Sequence, residues 1–221
     1  MCGIFGVVGK RIDEDLARHC TDRLYHRGPD SGRVWQKDDV TLGHRRLAIL
    51  DLSENGSQPI SYADGRFMMV YNGEIYNFLE IRSELIKLGY TFKSDCDSEV
   101  ILASYMEWGS GCLDRMNGMW AFAIWDNETG RLFMSRDRFG VKPLYYMFPD
   151  NDRTSIAFAS EIKALAPLLG EIRPNRDIVC DPDRIVYYES TDECVIEGIY
   201  RFPAGAYAVF DGGLEINKFP L

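Results

Sequence analysis

Short apolar or alternating runs bounded by turn residues recur along this chain at Ile4 to Val8, Thr41 to Ile49, Phe67 to Tyr71, Ala121 to Trp125, Leu132 to Ser135 and Ile156 to Ala159, and two segments of helical period stand side by side among them. Runs of this length and flanking predict strands. Of the helical segments, Asn77 to Leu88 carries Phe78, Ile81, Leu85 and Leu88 on one face, and Ser98 to Trp108 carries Val100, Ile101, Ser104 and Tyr105. Asn77 followed by Glu80 resembles a capping box, and Gly89 directly after Leu88 supplies a left-handed stop. A third, weaker helix is expected over Asp13 to Arg23, with Leu16, Cys20 and Leu24 in phase. Strands, then helices, then strands again is not the strict alternation of a parallel dinucleotide-binding sheet. It predicts an α+β fold with helices packed on antiparallel sheets.

With 221 residues the chain is long enough to bury a sizeable core, and one domain is expected. Its core covers about residues 1–170. From Ile172 to Asp192 the pattern weakens and charged residues accumulate, which predicts a mobile or variable connection. Beyond it, Ile196 to Phe210 and Leu214 to Ile216 read as a closing hairpin around Asp211-Gly212-Gly213.

The net charge of −9 comes without any cluster of Lys and Arg, which argues against a nucleic-acid partner, because phosphate contacts need such clusters. The longest apolar run, Met119 to Trp125, is far short of the roughly 20 residues that cross a bilayer, so no membrane partner is expected. The start Met1-Cys2-Gly3-Ile4-Phe5-Gly6-Val7-Val8 has no basic segment ahead of its apolar stretch and reads as part of the fold, not as a secretory signal. Six irregularly spaced cysteines with no Cys-x-x-Cys suggest neither a zinc ribbon nor a disulfide scaffold, and a cytoplasmic protein is expected.

Cys2 is the residue with the most chemistry. Once Met1 is removed, its own α-amino group lies within reach of its thiol, and with ordinary pKa values of roughly 8 and 8.5 the amine can take the thiol proton near neutral pH. The position alone is equally met by a small buried hydrophobe at the start of a strand. Further segments carry more weight: His26-Arg27-Gly28-Pro29-Asp30-Ser31-Gly32, Gly43-His44-Arg45-Arg46-Leu47-Ala48-Ile49-Leu50-Asp51, Tyr71-Asn72-Gly73-Glu74-Ile75-Tyr76-Asn77, Ser94-Asp95-Cys96-Asp97-Ser98-Glu99, Gly118-Met119-Trp120-Ala121-Phe122-Ala123, and Arg136-Asp137-Arg138-Phe139-Gly140-Val141-Lys142-Pro143-Leu144-Tyr145-Tyr146.

Together with the N-terminal segment and Ala159 to Leu165, these resemble the class II glutaminase domain of glutamine-dependent asparagine synthetases over nearly the whole chain. The resemblance implies an N-terminal-nucleophile hydrolase fold, a four-layer αββα sandwich of two antiparallel sheets between helical layers. It implies hydrolysis of L-glutamine to L-glutamate and ammonia through a thioester on Cys2. The Asn72 side-chain amide and the Gly73 N–H become the oxyanion donors, a role in which one lost donor costs roughly 3 kcal/mol of barrier stabilisation. Arg46, not Arg45, becomes the fork for the substrate α-carboxylate, with Leu47, Ala48, Ile49 and Leu50 lining the same loop. Asp97, just ahead of the second helix, becomes the partner of the α-ammonium, with Glu74 assisting. Without the neighbouring motifs, Asn72-Gly73 reads as a tight turn and Asp97 as a helix cap.

His26 and His44 invite a Cys-His pairing, but with an α-amine available they read as structural, and three scattered histidines supply no metal-ligand spacing. The Arg136-Asp137-Arg138 segment is expected near the pocket with no catalytic role. No cofactor is expected for glutamine hydrolysis; ATP and Mg belong to a synthetase domain, whose Ser-Gly-Gly-x-Asp-Ser loop this sequence lacks. Asp211-Gly212-Gly213-Leu214 reads as a turn. An excised or free-standing glutaminase domain is therefore expected, with L-glutamine and an ammonia-accepting synthetase domain or subunit as partners and room for a homodimer. The rival expectations are a non-catalytic scaffold and a glutaminase from polysaccharide or natural-product synthesis.

Overall fold

The computed structural model describes residues 1–48, 57–150, 152–188 and 191–220. In chain order its elements are β1 (Gly3–Val8), α1 (Glu14–Asp22), β2 (Ser31–Lys37), β3 (Val40–Arg46), β4 (Ile60–Tyr62), β5 (Phe67–Ile75), α2 (Phe78–Lys87), α3 (Asp97–Trp108), α4 (Cys112–Arg115), β6 (Gly118–Asp126), β7 (Arg131–Arg136), β8 (Tyr145–Met147), β9 (Ile156–Ala159), α5 (Ile162–Leu165), α6 (Arg176–Val179), α7 (Pro182–Tyr187), β10 (Ile199–Arg201), β11 (Ala206–Phe210) and β12 (Leu214–Lys218). The strands form two sheets of six, ordered β10-β8-β9-β1-β3-β2 and β12-β11-β7-β6-β5-β4, and every pairing within them is antiparallel.

Strand alternation sorts the side chains into three cores. In β6, Trp120, Phe122 and Ile124 pack with α2 and α3, while Ala121 and Ala123 enter the layer between the sheets. In β1, Ile4 and Val8 face that same layer, and Phe5 and Val7 lie under α1 and α5 with Cys20 and Leu165. The result is helix, sheet, sheet, helix: the expected four-layer αββα sandwich.

Helix α1 begins as its sequence predicts, with the Asp13 carboxylate accepting from Leu16 N at 2.7 Å. Helix α2 does not use the expected capping box. Asn77 makes no cap bond; its side-chain amide instead donates to Arg115 O at 2.9 Å and accepts from Asn117 N at 2.8 Å, fastening the start of α2 to the approach of β6. The stop at Gly89 does form, at φ 98°, with Tyr90 N donating to Leu85 O. Leu88, expected on the buried face, is 55% exposed; it stands at the C-cap just past the end of α2, while Leu85 in the last turn is buried.

Two strand expectations change. The Thr41 run ends at Arg46, and Ile49 lies outside the described residues. The run from Ile196 to Phe210 is two strands on different sheets: β10 pairs with β8, the chain crosses at Phe202-Pro203-Ala204-Gly205, and β11 pairs with β7 and β12. Proline and glycine between them break the ladder. Within Ile172 to Asp192 the chain forms the short helices α6 and α7.

Candidate active site

The even-numbered residues of β1, β3 and β5 face between the sheets, as Ile4, Val8, Val40, Leu42, Met68 and Val70 attest. The same alternation carries Cys2, His44, Arg46, Asn72 and Glu74 into that interior. It carries Arg45 the other way, where its guanidinium donates to Gly28 O at 3.0 Å, pairs with Asp22 at 3.1 Å and lies over the Tyr25 ring. Strand parity thus sends the two adjacent arginines to opposite faces of β3.

Around Cys2, the sulfur accepts from Leu47 N at 3.5 Å and lies 3.8 Å from Leu47 O. Its carbonyl accepts from Arg27 Nε at 2.9 Å, and Arg27 Nη1 reaches Glu161 at 2.9 Å. Burial would raise the Glu161 carboxyl, but hydrogen bonds from Arg27 and His26 prevail and hold it below the usual range. The Leu47 loop is held in turn by Asp30, whose backbone N donates to Arg46 O at 3.1 Å and whose carboxylate accepts from Ala48 N at 2.8 Å. Gly28 sits so close beneath that a Cβ would lie 2.4 Å from the Arg45 carbonyl, which only glycine allows. Ile49 and Leu50 lie outside the described residues.

Asn72 is 2% exposed, and its side-chain nitrogen has no hydrogen-bond partner among the described residues. A buried amide donor left unpaired is rare and costs roughly 1–3 kcal/mol, so it marks a place where a ligand acceptor belongs. Next to it, Gly73 is opposite Trp120, whose N–H and C=O both engage Asp137 on the far side of β6. The Gly73 N–H is therefore turned away from β6, toward the open side of β5. Its neighbours on that side are taken: Tyr71 N donates to Gln58 at 2.6 Å and Ile75 N to Asp97 at 3.0 Å. One side-chain donor and one backbone donor thus stand at adjacent positions.

Asp97 is the first residue of α3, one position later than expected, with Cys96 at the cap position and no side-chain cap bond there. Its carboxylate turns to β5 and accepts from Tyr71 Oη at 2.7 Å and from Ile75 N. Burial raises the Asp97 carboxyl, hydrogen bonds from Tyr71, Ile75 and Ser98 pull it down, and the nearby Glu74 charge adds to the rise, which prevails. Two carboxylates close together at a partly buried site raise one another's pKa.

His44 is buried, with Nε2 at 3.2 Å from Tyr71 O, and burial pushes its pKa down to about 3. His26 pairs with Glu161 and Lys163. Neither hydrogen-bonds Cys2 among the described residues, in keeping with structural roles. No group of His, Cys, Asp and Glu among the described residues is arranged to hold a metal.

The turn after β7 is organised by Asp137, fully buried, whose carboxylate accepts from Trp120, Phe139, Val141 and Lys142 backbone N–H groups. Arg136 completes it by donating to the carbonyls of Gly140, Lys142 and Phe202. Sequence reasoning assigned no role to Arg27, Tyr71 or Lys142, although all three lie within quoted motifs. Their partners come from other elements, and only the tertiary fold brings those together.

A four-layer sandwich with a cysteine at the start of its central strand defines the N-terminal-nucleophile hydrolase class. The whole chain aligns with glutamine phosphoribosylpyrophosphate amidotransferase from B. subtilis at a TM-score of 0.70 over 50% of that chain, and with the allosteric regulatory enzyme of purine biosynthesis at 0.75 over 49%. Both are 18% identical, so this likeness concerns the fold alone. Within that class the chain belongs to the class II glutamine amidotransferase family, whose glutamine amidotransferase domain model matches residues 1–219. Similar relatives include glutamine-hydrolysing asparagine synthetase 1 of Bacillus subtilis, 41% identical over 80% of this chain and 28% of the relative. A second is the putative asparagine synthetase 2 of Methanocaldococcus jannaschii, 40% identical over 99% of this chain and 46% of the relative. The chain spans less than half the length of these relatives.

Proposed function

We propose that this chain is the glutaminase unit of an asparagine-synthetase-type enzyme, which hydrolyses L-glutamine at Cys2 and supplies the ammonia to an ATP-dependent synthetase domain or subunit. The observation that carries the site assignment is the buried, unpartnered Asn72 amide next to the outward Gly73 N–H, on the same interior as Cys2.

After Met1 is removed, the thiol proton passes to the freed α-amine while the sulfur electron pair attacks the side-chain amide carbon of glutamine. The carbonyl oxygen becomes an oxyanion and accepts from Asn72 Nδ2 and Gly73 N, which stabilise it without reorganising because they are already fixed. Collapse expels ammonia with the proton returned by the amine, leaving a thioester; water then releases glutamate and restores the thiol. Arg46 takes the α-carboxylate. Asp97 with Glu74 takes the α-ammonium, and the raised Asp97 carboxyl supports this, since an arriving cation relieves the crowding of negative charge. Leu47 and Ala48 line the substrate loop, with Ile49 and Leu50 beyond them in sequence. Glutamine hydrolysis here needs no cofactor.

Cys2→Ala removes the nucleophile but little of ground-state recognition, so ammonia release should vanish while calorimetric glutamine binding stays within a few-fold. A glutamine-analogue electrophile should label Cys2 and none of the other five cysteines. Residual turnover in the variant, or adducts at Cys96 or Cys180, would end the assignment.

A further inference from the structure

Toward its N-terminal end β1 outruns its neighbour β9, which stops at Ala159 before the chain turns into α5 at Ile162. The backbone groups of β1 on that edge are taken all the same. Ser160, fully buried, donates its N–H to Ile4 O at 2.9 Å and accepts from Ile4 N on its hydroxyl at 3.0 Å. Two residues earlier, on the same edge by strand alternation, the Cys2 carbonyl accepts from Arg27 Nε at 2.9 Å. The Arg27 side chain, 9% exposed, is aimed in turn by Glu161, whose Oε1 accepts from Nη1 at 2.9 Å. That carboxylate is itself held, with His26 Nε2 at 2.9 Å from the same oxygen and Lys163 Nζ at 3.3 Å from the other. None of these contacts includes Met1, so its removal takes none of them away. Glu161 has no place among the groups assigned to glutamine or to the oxyanion.

Resting on the Cys2 reading above, we propose that Glu161 is a positioning residue for the nucleophile: through Arg27 it fixes the Cys2 carbonyl, and so the place from which the thiol reaches the substrate. A chain-terminal residue frays unless it is tied down, and once Met1 is gone Cys2 is one. Its carbonyl sets the peptide plane from which the Cα and the thiol hang, and the Leu47 N–H at 3.5 Å from the sulfur sets the rotation that remains. The guanidinium is a rigid plane, so anchoring Nη1 on a carboxylate decides where the Nε–H points. Without Glu161 a nearly buried cation loses its counter-charge and is drawn toward water, which takes Nε off the Cys2 carbonyl. In this role Glu161 touches neither the substrate nor the sulfur and moves no proton.

The test compares Met1-free wild type, Glu161→Ala, Glu161→Gln, Arg27→Met and the Arg27→Met, Glu161→Ala double variant, each verified by intact mass. Each is measured for kcat and KM with glutamine and for two rates of Cys2 labelling. A glutamine-analogue electrophile needs an aligned thiol; iodoacetamide needs only an accessible one. Glu161→Ala should lower kcat and analogue labelling by on the order of ten- to a hundredfold, the scale of a misplaced attacking atom, with KM and iodoacetamide labelling within about twofold of wild type. Glu161→Gln keeps an oxygen for Arg27 Nη1 and should recover much of the loss. In the Arg27→Met background Glu161→Ala should add almost nothing to the loss of analogue labelling, because the residue it acts through is gone. Losses that multiply in the double variant, a defect confined to KM, wild-type kcat in Glu161→Ala, or iodoacetamide labelling that shifts in step with the analogue would each overturn the proposal, the last by showing a loosened fold. Variants too slow for turnover still yield both labelling rates. Failure of the underlying Cys2 reading looks different: the wild type itself would show no Cys2-dependent turnover.

Discussion

Tyr71 has its hydroxyl on Asp97 and its carbonyl on His44, so a single buried residue ties the Asp97 carboxylate to the middle of β5. Removing only the hydroxyl leaves the ring packed and takes away one of the two hydrogen bonds that Asp97 Oδ2 accepts, the other being from Ile75 N. Tyr71→Phe should raise KM for glutamine about tenfold with kcat nearly unchanged, the equivalent of one hydrogen bond to a charged group. It should not weaken binding of an analogue that lacks the amino group; equal losses for both ligands would show that Tyr71 supports the fold and not Asp97. At this scale the sequence was informative where chemistry and parity coincide. Cys2 and Arg46 on one sheet and Asn72 and Glu74 on the other are directed into the same layer between the sheets, and the alternation along β3 sends Arg45 the opposite way from Arg46. Arg27 and Lys142 could not be read that way, since an isolated lysine or arginine in a loop is ordinarily solvated.

Among elements, β3 joins the site to the pH response of the whole fold through His44. Its native pKa of about 3 lies below the ordinary 6.5, so below pH 6.5 the unfolded chain binds a proton that the native chain refuses. Stability is therefore intact above about pH 6.5 and falls toward pH 3 by roughly 1.4 kcal/mol per pH unit from this group alone. Urea unfolding at stepped pH should show a shallower acid loss in His44→Gln than in wild type; parallel curves would mean that His44 protonates in the native state. Long elements were legible because period and burial agree, as in β1, β5, β6, β7, β9 and α3. Strand β2 was missed because it is an edge strand, mostly exposed and carrying Gly32, Arg33 and Gln36, β8 was missed because it is three residues long, and β10 was joined to β11 in one run. The capping box of α2 was plausible locally and lost to a tertiary competitor, since Asn77 satisfies two backbone groups of the 115–117 segment instead.

For the whole molecule, the inner face of the first sheet is closely packed over β1 at Gly6. Gly6 lies opposite Phe158 in the register, and a Cβ there would sit 2.3 Å from the Phe158 ring and 3.1 Å from Leu42. Gly6→Ala should cost about 1–3 kcal/mol by overpacking, and because β1 begins at the nucleophile it should depress turnover as well. Denaturant midpoints and kcat together provide the check; an unchanged midpoint would show that the ring relaxes freely. The segment from Phe202 to Gly205 crosses between the sheets, Phe202 fully buried, with Phe202 O held by Arg136 and Gly205 N by Asp137 O. These residues shape the turn bearing Lys142 from a distant part of the sequence. A ribosome-bound chain that has not yet emerged past Gly205 lacks the carbonyl and the amide that engage Arg136 and Asp137, so the closing of this turn waits until the crossing between β10 and β11 has been made.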